Sequence, residues 1–166
     1  MSKTQEKIFA LITVLITVPC FVFYCLTIEK HGILNVEPVW ALKLIPVEFI
    51  LAYISEIFLI GPKVPKILFK KLNPKKDNPI LIETGYICTT VCLMCPWMSF
   101  LATILYKGIM PVLFNDPTFT IQNFFIYFIP NFLQTFVQNF PFALLAQLFF
   151  IQPLSRTIFK KICKAK

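Results

Sequence analysis

The sequence predicts an all-α integral membrane protein, with four transmembrane helices arranged as two tandem helical hairpins. Three observations carry that expectation. Hydrophobic residues make up 57% of the chain, charged residues only 14%, and the mean hydropathy is +0.74, whereas soluble domains carry about 25% charged residues. Apolar runs of membrane-crossing length recur four times. Lysine and arginine gather on one side only when the runs are threaded alternately through a bilayer. In 166 residues, four crossings and short links leave no room for a separate soluble domain.

The first run, 8–28, is uncharged and matches a hydrocarbon core of about 30 Å at 1.5 Å rise per residue. Lys3 and Lys7 precede it, so a signal peptide has to be weighed. Such a peptide has an apolar stretch of about 7–15 residues and a small-residue cleavage site. Here the run is longer and ends in Cys25-Leu-Thr-Ile-Glu-Lys30, which reads as a retained helix. The second run, 39–60, is interrupted by Lys43, Glu48 and Glu56. The third, 80–106, has Glu83 near its entrance and Pro96 inside. The fourth, 124–151, exceeds a perpendicular span and can tilt, or bend at Pro130 and Pro141, because proline removes a backbone donor.

Positive charge sets the direction of threading. The link between the second and third runs holds Lys63, Lys66, Lys70, Lys71, Lys75 and Lys76, and the tail holds Arg156, Lys160, Lys161, Lys164 and Lys166. The other two links offer Lys30 and Lys107, with Lys43 near a boundary. The positive-inside rule then puts both termini and the central link in the cytoplasm of a multi-pass cell-membrane protein. Both basic stretches carry spaced apolar residues: Val64, Ile67, Leu68 and Leu72, then Leu154, Ile158, Phe159 and Ile162. Each is either a short helix in the headgroup layer or a continuation of the preceding span. The net charge of +8 suits anionic lipid headgroups; nucleic acid is excluded as a partner, since the basic residues line no groove-reading helix.

The two halves resemble each other. Residues 48–62 align without gaps to 139–153, with identities Phe49/Phe140, Ala52/Ala143, Phe58/Phe149, Ile60/Ile151 and Pro62/Pro153. Polar positions also correspond, Glu48 with Asn139 and Glu56 with Gln147, and Phe69-Lys-Lys-Leu72 echoes Phe159-Lys-Lys-Ile162. The first helices match through Pro19/Pro96, Phe23/Phe100 and Lys30/Lys107. We therefore divide the chain into hairpins at 1–78 and 79–166. Each starts and ends on the same side, so the copies are related by an axis along the membrane normal.

Asn139-Phe-Pro-Phe-Ala143, the ending Pro153-Leu-Ser-Arg156, and their counterparts Glu48-Phe-Ile-Leu-Ala52 and Ile60-Gly-Pro62 resemble the bacterial domain-of-unknown-function family 2798. That family contains small membrane proteins, often with two copies of the hairpin. The pattern is imperfect in the first copy, where Pro65 and Lys66 stand around the place of Arg156. The resemblance implies an architecture and a bacterial inner membrane, and no reaction.

The candidate chemistry is intramembrane. Glu48, Ala52 and Glu56 share a helix face by their spacing of four, and Asn139, Ala143 and Gln147 repeat it. Asn131, Gln134 and Gln138 form a second stripe, at spacing of three and four. Near mid-membrane an ionised Glu48 costs on the order of 3 kcal/mol, so a carboxyl there could exchange a proton for a cation. One reading is thus a proton-coupled transporter or exporter of a small or cationic solute. Glu48, Glu56, Asn139 and Gln147 would form its proton or substrate site, and the second stripe its pathway. Four helices enclose little space, so such a pathway calls for a homodimer. The other reading is a non-transporting structural or regulatory membrane protein that binds another membrane protein, with Glu48 bonded to Asn139 or Gln138 in a packing seam.

Cys88, Cys92 and Cys95 share a face and could hold Cu(I), but nothing faces them in sequence, and small packing residues are the preferred reading. The six cysteines otherwise lie mostly in apolar runs, which argues against a disulfide framework. Trp40, Tyr24, Tyr106 and Tyr127 suit interfacial belts, while Trp97, deeper beside Pro96, lines a cavity or fills a kink. No enzyme signature is present: the one histidine is His31, and the four glycines build no phosphate loop. We expect no catalytic activity, cofactor or metal.

Overall fold

The computed structural model describes residues 3–29, 38–74, 76–109, 112 and 120–164. These residues are helical almost throughout. The first helix, α1 (Lys3–Glu29), is followed by α2 (Pro38–Ile54), which continues into a π turn at Ser55–Ile60. A five-residue helix α3 (Val64–Leu68) comes next. Then follow α4 (Pro79–Ile104) with a π turn at Leu105–Ile109, and α5 (Ile121–Ala146) with a π turn at Gln147–Ile151, which leads directly into α6 (Gln152–Lys164). The fourth apolar run and the basic tail are therefore one continuous helical rod, and the tail extends the span. Helix α3, by contrast, is a separate element behind the Gly61-Pro62-Lys63 turn.

Local chemistry explains the boundaries. Helix α4 begins where Pro79 presets the backbone and the Asn78 side chain accepts the Ile80 N–H at 3.0 Å. The π turns are wider than α-helix, closing i→i−5 bonds such as Gly61 N–H to the Glu56 carbonyl at 2.8 Å. All three end two residues ahead of a proline in the sequence: Pro62, Pro111 and Pro153. A proline ring collides with the carbonyl four residues back, and for each of these prolines that carbonyl belongs to the π turn. A wider turn is one way to relieve that collision.

Among the described residues three helices are long and apolar enough to cross a membrane: Thr4–Ile28, Pro79–Ile109 and Ile121–Ile162. Four were expected; helix α2, with 17 α-helical residues ahead of its π turn and with Lys43 and Glu48 inside it, is not among these three.

Helices α1 and α4 line the centre. Their buried residues recur every fourth position, Val14, Val18, Val22 and Leu26 on α1 and Val91, Cys95, Ser99 and Thr103 on α4. Helix α2 packs on α1 and α5 on α4. One apolar cluster joins the α1 row and Ala52 to Met94 and Met98 of α4, and the other joins Ile87, Val91, Cys95 and Ala143 to Phe21 of α1. The short segments swap sides: α3 lies against α4, and α6 against α1. Phe9 and Phe159 meet edge-on there at 5.5 Å. At Gly85 an added Cβ would come within 2.9 Å of the Leu68 Cδ1 methyl, so any other residue there would make that side chain shift.

Buried positions in the aligned segments coincide. Ala52, Ser55 and Ile60 are buried, and so are Ala143, Ala146 and Ile151, followed by Val64 and Ser155. Val64 and Ser155 are both fully buried, but the Ser155 hydroxyl has no partner among the described residues. A buried hydroxyl without a partner costs roughly 1–3 kcal/mol. Ser155→Ala should therefore leave thermal stability in detergent unchanged or raise it, by up to about 1 kcal/mol. A clear loss of stability would mean that the hydroxyl has a partner after all.

Candidate functional site

The polar side chains singled out by sequence do not converge on one pocket. They lie along two seams. The first runs between α2 and the fourth-helix region. There the Tyr106 hydroxyl, in the π turn after α4, donates to the Glu48 carboxyl, and the Trp97 indole N–H donates to Ser55 Oγ at 2.9 Å. The second seam runs between α5 and α1. Cys25 Sγ approaches Asn139 Oδ1 at 3.6 Å, the Tyr24 hydroxyl donates to the Gln138 backbone carbonyl at 2.9 Å, and Gln147 Nε2 donates to Thr17 Oγ1 at 3.1 Å. Phe142 stacks on Tyr24 with ring centres 3.8 Å apart and closes the second seam.

Glu48 therefore meets Tyr106, and neither Asn139 nor Gln138, which corrects the expected pairing. Their separation follows from the packing, since α2 and α5 lie on different partners. Glu56 and Gln147 are half-buried at equivalent places in their π turns, and Ala52 and Ala143 are the buried small residues between the polar pairs. Small residues there let neighbouring backbones approach while the longer polar groups reach across. The second stripe, expected to line a pathway, is turned the other way: Gln134 and Gln138 are exposed on the outer side of α5, and Asn131 is half-buried.

Of the cysteines of α4, Cys95 is buried, Cys88 half-buried and Cys92 exposed. Among the described residues no group of three or more His, Cys, Asp or Glu could hold a metal ion. Trp97 lines a shallow open groove of about 400 Å³ with Cys92, Leu93, Pro96 and Phe100. At the end opposite Tyr106, Arg156 of α6 pairs with Glu83 of α4. Both are more than a third exposed, and a pair of that kind contributes about 0–1 kcal/mol. Lys30, His31, Lys75 and Lys166 lie outside the described residues, as does the side chain of Trp40.

Sequence reasoning missed the partners. Tyr106 reads as an interfacial ring, and Thr17, Ser55 and Cys25 as small residues within apolar runs. One usable signal was present: a polar group on a first helix needs a polar group on its neighbour at the same depth.

Long apolar helices joined by side-chain hydrogen bonds define a helical bundle with membrane-type helices. The chain belongs to the family described as Domain of unknown function (DUF2798), which matches residues 79–163, from the start of α4 into α6. No curated protein and no solved structure matches it.

A hydrogen bond to a partly buried carboxyl contributes about 1 kcal/mol, and removing one partner costs more than replacing it with another acceptor. Tyr106→Phe should thus lower stability by about 1–2 kcal/mol and Glu48→Gln by less, because a glutamine oxygen still accepts the tyrosine proton. Thermal unfolding of both single variants and the double variant in detergent measures the coupling. Strictly additive losses would show that the pair does not interact.

Proposed function

We propose that this chain is a four-pass membrane protein that does not transport, a structural or regulatory module whose intramembrane polar groups hold two hairpins together and leave an outer surface for another membrane protein. The observation that carries the reading is the pairing of polar groups across the two seams. Glu48, Asn139 and Gln147 each contact a side chain on a neighbouring helix, as a packing seam requires. A proton or substrate site would instead hold these groups around a common space.

Charge distribution favours four crossings over three. If only α1, α4 and α5 crossed, the termini would fall on opposite sides of the membrane. Either the lysine-rich tail or the lysines at the start of the chain would then be translocated, against the positive-inside rule. Counting α2 with its π turn gives a helix from 38 to 60, about 34 Å at 1.5 Å per residue, which is enough to cross. Its least favourable residue, Glu48, is the one that receives the Tyr106 hydroxyl. Both termini and the central link are then cytoplasmic, with Arg156, Lys160 and Lys161 facing anionic headgroups.

The duplicated-hairpin reading is supported by the coincident buried positions in 52–60 and 143–151. The exchange of α3 and α6 between the first helices supports it too.

Reconstituted vesicles separate this function from transport. Under an imposed pH gradient, vesicles containing the wild-type chain or the Glu48→Gln variant should leak protons no faster than empty vesicles. A flux that appears with the wild type and disappears with Glu48→Gln would replace this reading with a proton-coupled transporter.

A further inference from the structure

We propose that the outer face of α5 is a self-association surface, so that the partner it takes is a second copy of this chain. The inference rests on α5 lying in the bilayer, as in the reading above, and names the partner of that module.

Along α5 the bundle side carries Phe132, Phe136, Asn139 and Ala143, while Tyr127, Gln134, Gln138 and Leu145 lie on the opposite stripe and are exposed. Both helix-interior prolines, Pro130 and Pro141, are exposed as well. Proline has no N–H, so Pro130 leaves the Ile126 carbonyl without its helical donor, and Pro141 does the same to Val137. Ile126 is 67% exposed and Val137 64% exposed, which puts those residues on the outside rather than among the other helices.

One surface therefore holds two primary amides and two under-bonded backbone carbonyls in an otherwise apolar setting. In lipid such groups have no solvent to bond. What they require is a partner that is apolar in bulk, offers both hydrogen-bond donors and acceptors at mid-helix depth, and brings no charge. The stripe itself meets that description. Each amide donates through its NH₂ and accepts through its oxygen, so two copies related by a twofold axis along the membrane normal would place amides against amides and against the proline-freed carbonyls. Such an interface is isologous and closes at the dimer. A charged or mainly hydrophilic partner would find nothing complementary among Leu133, Val137 and Leu145.

The test uses the full chain in mild detergent and in bicelles, followed by sedimentation equilibrium. The wild type should populate a dimer, and Gln134→Leu with Gln138→Leu should weaken it by about tenfold or more, with helix content unchanged by circular dichroism because both side chains lie outside the bundle. As a positive readout, Gln134→Cys should give more disulfide-linked dimer under mild oxidation than wild type. Leu15→Cys, exposed on α1, should not. A wild type that stays monomeric at every protein-to-detergent ratio overturns the proposal, and so does a double variant that dimerises as tightly. A monomer that instead copurifies with a different membrane protein through this face overturns it as well. Alkaline carbonate extraction separates the two levels: a chain released from membranes sinks the membrane reading beneath it, whereas a retained monomer sinks only the dimer.

Discussion

A polar atom in a long apolar helix is stabilised by a partner within protein, and the seams of this chain follow from that constraint. The small hydroxyls comply locally. Thr13, Thr17, Thr89, Thr90, Thr103 and Thr135 each donate to the carbonyl one turn back, at no cost in helix packing. Larger groups cannot turn back on their own helix so easily, and they reach across to another. Thr17 does both, giving its proton to the Thr13 carbonyl and accepting from Gln147. A local bond thereby becomes the anchor for an interhelical one. The seams are where local satisfaction runs out.

This division explains what could be read from the residues alone. Helix positions were legible because apolar runs and charge boundaries are properties of single segments; α1 and α4 fall within a few residues of their expected limits. The family was legible from Asn139-Phe-Pro-Phe-Ala143 and Pro153-Leu-Ser-Arg156. Polar faces were legible too, since Glu48, Ala52 and Glu56 obey helical spacing. Which face met which neighbour was not. Glu48 pairs with Tyr106 rather than Asn139 because α2 and α5 flank opposite central helices, a fact about rotation and position that no spacing along one helix contains. Gln134 and Gln138 show the same limit: their stripe was visible, but its outward direction depends on Phe132, Phe136 and Ala143 claiming the inward side. The proposed fourth crossing is the hardest to read, because α2 is marginal in length and charge when taken by itself.

Proline acts in two ways here, according to what lies beside it. Ahead of Pro62 and Pro153 the preceding turn is widened into a π turn. Pro19, Pro46, Pro96, Pro130 and Pro141 sit inside helices that remain α-helical, and each leaves a carbonyl in need of a donor. Neighbouring helices can supply that donor for a proline facing inward. For Pro46, Pro130 and Pro141, which are exposed, the described residues supply no covering helix.

On the proposed duplication, the two halves share a shape and differ in chemistry. Ala52 and Ala143, and Ile60 and Ile151, keep the same residue and the same burial, as close-packed positions require, while Val64 and Ser155 share only the burial. The polar positions one turn ahead of the alanines differ: a carboxyl faces a phenol on one side and an amide faces a thiol on the other. A seam asks only that donor meet acceptor, so many pairs satisfy it equally. A site that moved protons or bound one solute would instead need matched acidity and geometry at its chemical centre. Similar burial beside interchangeable polar pairs is the pattern that the proposed packing role asks for.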